Sequence, residues 1–219
     1  MASIIFDLDG TLIDSAPDIH AAVNRTLADE GAPALDFALV RSFIGNGVPV
    51  LIERVMAARG ESEDPARHAV LLGRFLAHYT RASADLTQMF DGVAEALSTL
   101  RGQGHALGIC TNKPVAPTKV ILQAFGLAKT FDVVIGGDSL PLRKPDPAPL
   151  RAAAQALGQG PALYVGDSEV DAETAVNAGM PLVLFTRGYR KAAVGDLPHA
   201  RSFQDFSDLP GIVAALLEQ

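Results

Sequence analysis

The amino-acid sequence predicts an α/β fold: a parallel sheet of alternating strands and helices, interrupted after its first strand by a helical insertion. Three observations carry that expectation. Short apolar runs recur without polar alternation, the segments between them bear apolar residues at helical spacing, and one long interval, residues 17–87, is helical in pattern with no convincing strand.

The first run, residues 3–9, reads Ser-Ile-Ile-Phe-Asp-Leu-Asp and stops at Gly10, which suits a strand buried on both faces. The long interval follows. Within it Ile19, Val23 and Leu27 share a helical face, Leu51, Ile52, Val55 and Met56 form a second, and Val70, Leu71, Phe75 and Tyr79 a third. A parallel crossover needs only about a dozen residues, so the interval reads as an inserted helical domain with hinges at residues 15–17 and 88–92. Further strands are expected at residues 106–110, 131–135, 162–165 and 181–185, and alanine-rich helices at residues 114–125, 147–157 and 169–178. Residues 187–198 read as loop, and Leu209, Ile212, Val213, Leu216 and Leu217 mark a closing helix.

The chain has 219 residues, 48% hydrophobic and 20% charged, with 25 acidic against 18 basic residues and a formal net charge of -7. That apolar fraction excludes a disordered chain, and the single cysteine, Cys110, excludes a disulfide scaffold. No apolar run approaches the ~20 residues that span a bilayer, and the first run meets Asp7 too soon for a signal-peptide core, so a cytoplasmic protein without a membrane partner is expected. Lys and Arg are scattered, which argues against a nucleic-acid partner. A small phosphorylated metabolite remains compatible with the acidic balance, because a bound metal ion reverses the local sign of a carboxylate-lined pocket.

The residues that carry chemistry fall at strand ends, where open α/β sheets form their sites. Asp7 and Asp9 flank Leu8, so strand geometry points both carboxylates to one side, and Gly10 lets the backbone turn. Two acids held close repel unless a cation or a proton lies between them, which suggests a divalent metal or a division of labour between nucleophile and acid. Thr111 and Asn112 then offer a hydroxyl and an amide before a helix N-terminus, Lys144 supplies a cation in a proline-stiffened loop, and Asp167 and Asp171 stand four apart at the start of a helix. Each residue also has a plain structural use: Thr111 as a helix cap, Lys144 as a solvated charge, the two acids as complements to a helix dipole.

Taken together, Asp7-Leu8-Asp9-Gly10-Thr11, Thr111-Asn112, Lys144, and Gly166-Asp167 with Asp171 resemble, in order, the four motifs of the haloacid dehalogenase superfamily of phosphatases. The resemblance covers the whole chain. It implies a Rossmann-like parallel core of the haloacid dehalogenase type, residues 1–15 and 88–219, with an inserted helical cap domain, residues 16–87. It further implies a phosphatase in which Asp7 is the nucleophile that becomes an aspartyl-phosphate and Asp9 is the general acid and base. Mg2+ would be held by Asp7, Asp167 and the backbone carbonyl of Asp9, with Asp171 binding directly or through water, while Thr111, Asn112 and Lys144 bind phosphate.

Residues 137–150, the string Phe43-Ile44-Gly45-Asn46-Gly47, and Gly188-Tyr189 resemble the phosphoglycolate phosphatases within that superfamily, which implies 2-phosphoglycolate as substrate. In the cap, the loop of Gly45, Asn46 and Gly47 is either a substrate contact, its glycines exposing backbone amides to a carboxylate, or a plain turn between helices. Arg41 and His20 are further polar residues of the cap, for which a surface role is expected. The alternatives are a hydrolase of another small phosphate ester, a sugar-phosphate mutase, or, outside enzymes, a receiver-like signalling module that keeps its aspartyl-phosphate. No protein partner is legible.

Overall fold

A computed structural model describes residues 1–158 and 160–218. Its main sheet contains β1 (Ser3–Phe6), β4 (Ala106–Cys110), β5 (Val133–Ile135), β6 (Ala162–Gly166), β7 (Leu182–Phe185) and β8 (Arg201–Phe203), ordered β5-β4-β1-β6-β7-β8 with every pair parallel. The two strands first in register beside β1 are β4 and β6, with Phe6 opposite both Ile109 and Val165. β1 therefore runs up the middle, and the segments that leave β1, β4 and β6 emerge side by side.

Strand periodicity sorts the core into two layers. Ile4, Phe6, Leu107, Ile109, Leu163, Val165, Val183 and Phe185 pack on one face with α5 (Val93–Gly102), α6 (Val115–Ala124) and α9 (Leu209–Leu217). Ile5, Cys110, Tyr164, Leu182 and Leu184 pack on the other with α7 (Ala148–Leu157) and α8 (Glu169–Ala178). Burial on both sides explains why the strands read as unbroken apolar runs.

β4 matches the expected bounds and β6 runs one residue longer, whereas β1, β5 and β7 are shorter than the sequence suggests. β1 ends at Phe6, not Asp9, because the chain coils at once: the Leu8 carbonyl accepts the N–H groups of Thr11, Leu12 and Ile13, and Gly10 sits at φ +91°. The strand β8 and the helix α5 were not singled out in the sequence. β8 carries only Phe203 as a buried residue, so it has no apolar run to announce it. Phe203 nevertheless joins Phe90, Phe185 and Phe206 in an aromatic cluster with ring centroids 5.0 to 5.3 Å apart, which fastens the β7–β8 edge to the chain returning from the helical segment.

That segment contains α1 (Ala16–Ala28), α2 (Phe37–Arg41), α3 (Val48–Ala58) and α4 (Pro65–Arg81), which bury a cluster of their own that includes Ile19, Val23, Leu27, Leu51, Ile52, Val55, Met56, Leu71, Phe75 and Tyr79. Val70, grouped with the third apolar face in the sequence, is exposed. Two short strands, β2 (Ile13–Asp14) and β3 (Gln88–Met89), pair antiparallel where the chain enters and leaves these helices. A second tie lies beside them. The buried carboxylate of Asp18 accepts the backbone N–H groups of Leu86 and Thr87 and the Thr87 hydroxyl, at 2.7 to 3.1 Å, so both crossing segments are held together. No helix among the described residues is long and apolar enough to cross a membrane.

Phe185 touches three of its aromatic neighbours at once. Phe185→Ala is expected to lower stability by about 3–5 kcal/mol, read as a fall in the urea midpoint without a change in slope. A loss under about 1 kcal/mol would contradict the packing described.

Candidate active site

At the carboxyl edge of the sheet, Asp7 follows β1, Thr111 follows β4 and Asp167 follows β6, while Lys144 enters from the loop after β5. Asp7, Asp167 and Asp171 are buried, and each presents a carboxylate oxygen within 4.8 Å of the other two. Lys144 is their near cation. Its Nζ lies 2.7 Å from Asp171 Oδ1, to which it donates, and 2.9 Å from Asp7 Oδ1. The second contact is an ion pair without hydrogen-bond alignment, so Asp7 Oδ1 is left a buried oxygen with no hydrogen bond.

Asp171 is heavily engaged. Its Oδ1 also accepts the Tyr164 hydroxyl at 2.6 Å, and its Oδ2 accepts the N–H groups of Asp167 and Ser168 and the Ser168 hydroxyl at 2.7 to 3.1 Å. Ser168 and Asp171 form the capping box of α8, which is why an acid stands three residues into that helix. Asp167 is held differently: Thr11 Oγ1 donates to its Oδ1 at 2.8 Å and the Tyr189 N–H to its Oδ2 at 2.6 Å. A Cβ on Gly10 would lie 2.6 Å from Asp167 Oδ2, so glycine is required there for space as well as for its positive φ.

Asp9 turns to other partners. Its Oδ1 accepts Ser15 Oγ at 2.5 Å and pairs with Lys113 Nζ at 2.7 Å. Lys113 also donates to the Tyr79 hydroxyl and lies 4.6 Å from the centre of that ring. Thr111 is buried, its Oγ1 accepting the Lys113 N–H at 3.3 Å. Asn112 Nδ2 donates to the Lys144 carbonyl at 2.9 Å and the Gly45 carbonyl at 3.1 Å, which joins the loop after β4, the lysine loop and the glycine loop through one amide.

Asp7, Asp9, Thr111, Asn112, Gly45 and Gly47 line one cavity of about 50 Å³ together with Lys113, Tyr79 and apolar residues of α1, α3 and α4. Of the glycine loop, Asn46 is not among the lining residues; its Oδ1 accepts from Arg54 at 2.9 Å. Arg41, expected at the surface, instead donates to the Gly188 carbonyl at 2.9 Å and stacks over Tyr189, 4.9 Å from its ring centre. His20 faces the Leu35 carbonyl within the helical segment. Lys113, Tyr79, Tyr164 and Ser15 carry polar contacts of the site that the sequence reading did not assign. Only Lys113, next to Thr111-Asn112, gave a signal.

Crowding shifts the ionisable groups. Burial, the largest influence, pushes the Asp7 carboxyl up to about 6, with Asp171 and Asp9 adding to the rise against Lys144. Burial, then Asp171 and Asp7, raises Asp167 well above the usual carboxylate range. Asp171 moves the other way: burial opposes its charge, but Lys144 and the hydrogen bonds from Lys144, Ser168 and Tyr164 outweigh it. Burial pushes the Cys110 thiol up to about 12, in keeping with a structural role. One lysine among three carboxylates leaves surplus negative charge, and with the unbonded Asp7 oxygen the set suits a hard divalent cation.

The profile of the haloacid dehalogenase-like hydrolases matches residues 4–185, which span every one of these motifs. The chain belongs to the haloacid dehalogenase-like hydrolase family. Within this family it is 56% identical over 217 residues to the phosphoglycolate phosphatase of Cereibacter sphaeroides, covering 99% of this chain and all of that one. It is 44% identical over 211 residues to the phosphoglycolate phosphatase of Rhodobacter capsulatus, with 96% of each chain covered. A solved structure, a "predicted phosphoglycolate phosphatase" from Haemophilus somnus 129PT, superposes with a TM-score of 0.89 at 34% identity, with 96% of each chain covered. This chain is thus an enzyme, and its full-length relatives are phosphatases.

An acid whose folded-state pKa is raised binds more protons folded than unfolded, so its contribution to stability is present at low pH and lost as pH climbs from 3.8 to about 6. With divalent metal chelated, wild type is therefore expected to lose about 1 kcal/mol of stability relative to Asp7→Asn between about pH 5 and about pH 7. Denaturant titrations of the two proteins at both pH values check this, and parallel pH profiles would count against the buried, crowded Asp7.

Proposed function

We propose that this phosphatase hydrolyses 2-phosphoglycolate in a magnesium-dependent reaction that passes through an aspartyl-phosphate on Asp7. The observation that carries the reading is the juxtaposition of Asp7 with Lys144 at 2.9 Å, at the rim of a cavity that also holds Asp9 and Thr111. Asp7 attacks phosphorus, and the bond to the ester oxygen breaks on the opposite side. Asp9 gives its proton to that oxygen, then as a carboxylate takes a proton from the water that attacks the aspartyl-phosphate and releases inorganic phosphate. Lys144, Thr111 and Asn112 hold the phosphoryl oxygens, where charge-assisted hydrogen bonds stabilise the transferring group.

Asp7, Asp167 and the Asp9 carbonyl would hold Mg2+, which when bound supplies charge neutralisation for the phosphoryl group. Asp171, with both oxygens already taken by five donors, suits a place behind a metal-bound water better than a direct bond. Residues 16–87 act as the cap over a core of residues 1–15 and 88–219, with Gly45 and Gly47 closing the glycolate side of the cavity. Asn46 acts indirectly, by bracing that loop through Arg54. The names of the full-length relatives support 2-phosphoglycolate.

The test is phosphate release from a panel of small esters with and without Mg2+. Wild type is expected to prefer 2-phosphoglycolate and to lose turnover on chelation. Asp7→Asn is expected to abolish turnover with the fold intact, and Asp9→Asn to cost about 10²–10⁴-fold in kcat. A preference for other esters would replace the substrate, and substantial activity in Asp7→Asn would overturn the nucleophile. A phosphoprotein that persists without turnover would favour a signalling module.

A further inference from the structure

The cavity that holds Asp7 has one wall that is unlike the others. Ile19, Ile44, Val48, Leu51 and Phe75 give it an apolar side, suited to a methylene group but costly for a carboxylate. Among the described residues that line it, Lys113 is the one cation. Its side chain is only 2% exposed, which is unusual for lysine unless it is paired. The pairing is with Asp9 and with the hydroxyl of Tyr79, which belongs to α4.

We propose that Lys113 and Tyr79 together form the subsite that receives the substrate's carboxylate. The inference rests on the reading of 2-phosphoglycolate as substrate. Three arguments support it. The first is connectivity: in 2-phosphoglycolate a single methylene separates the carboxylate from the ester oxygen. The group that protonates that oxygen and the group that holds the carboxylate must therefore be neighbours, and Asp9 and Lys113 are 2.7 Å apart.

The second is donor capacity. An ammonium group has three N–H donors, and Lys113 uses two, on Asp9 and on Tyr79. Tyr79 accepts from Lys113, so its own O–H is available to a second acceptor, and burial, then Asp9 and Asp18, push the phenol well above its ordinary pKa, so it keeps that proton.

The third is charge balance. When Asp9 turns toward the ester oxygen it leaves Lys113, and a buried ammonium without a counter-ion is strongly unfavourable. A substrate carboxylate takes the vacated position. The exchange makes the productive position of Asp9 depend on a substrate that carries its own negative group, so the same contact that selects the carboxylate also frees the acid. An ester without a carboxylate has nothing to offer Lys113 in return.

The experiment compares kcat/KM for 2-phosphoglycolate with that for ethyl phosphate, which has a methyl group in place of the carboxylate. In Lys113→Met the ratio of the two is expected to fall by about 30-fold or more, the effect of losing a charge-assisted contact. Tyr79→Phe, which deletes one hydroxyl, is expected to lower it about 3–10-fold, and Lys113→Arg to keep most of it. Circular dichroism and thermal melts report folding of each variant. If Lys113→Met does not fold, Tyr79→Phe and Lys113→Arg decide the matter by the same ratio. Equal losses on both esters would overturn the proposal and reduce Lys113 to a positioning residue for Asp9. A wild type that hydrolyses other esters but does not favour 2-phosphoglycolate would instead remove the substrate reading, and the subsite with it.

Discussion

Three carboxylates brought within 4.8 Å of one another, out of reach of bulk water, repel strongly, and Lys144 is the group that makes their assembly tolerable. It is 3% exposed and can be charged there only because Asp171 and Asp7 oppose the cost of its burial. Its position also sets the division among the acids. Asp171, which receives the lysine's hydrogen bond and four more, is fixed in the charged form, whereas Asp7 keeps an oxygen without a hydrogen bond beside a cation. Asp7 is thus held in place by charge with a lone pair to spare, as the nucleophilic role proposed for it requires.

The sheet supplies the rigidity that such crowding needs. β1 is flanked by β4 and β6 in matched register, so the residues following these strands cannot move apart without breaking central pairs. The helical segment is secured to the same platform by the β2–β3 ribbon, by the three donors on Asp18, and by Arg41 across to the Gly188 carbonyl and the Tyr189 ring. Tyr189 is itself a crossing point. Its N–H holds Asp167 while its hydroxyl donates to Asp14 and accepts the Ala16 N–H, so one residue links the acid cluster to the root of α1.

Much of this was legible because two kinds of signal are local. Central strands buried on both faces must be apolar throughout, and α8 declares itself through Ser168 and Asp171 as well as through its alanines. β8 was not legible, since an edge strand with two exposed residues has no pattern to display. The two-residue strands β2 and β3 depend on partners that lie far apart in the chain, Ile13 with Met89 and Asp14 with Gln88, and pairing at that distance leaves no trace in composition. The same holds for the polar contacts. Asp7, Asp9, Thr111, Lys144 and Asp167 occur in recognisable strings, but Tyr79, Tyr164 and Asp18 sit in ordinary helix and strand sequence and acquire their partners only when distant segments meet. Arg41 is of the same kind: a lone arginine on a short helix looks solvated until Gly188 and Tyr189 are folded against it.

The capping box of α8 has a consequence of another kind. Asp171 closes the first turn of that helix through Ser168 with one oxygen and meets Lys144 and Tyr164 with the other. Capping of the helix and placement of the lysine's counter-charge thus draw on a single side chain. Wherever that first turn is open, the acid that balances the lysine is out of place as well. Conversely, loss of this carboxylate would remove a helix cap together with the lysine's counter-charge, which couples the order of the acid cluster to the integrity of α8.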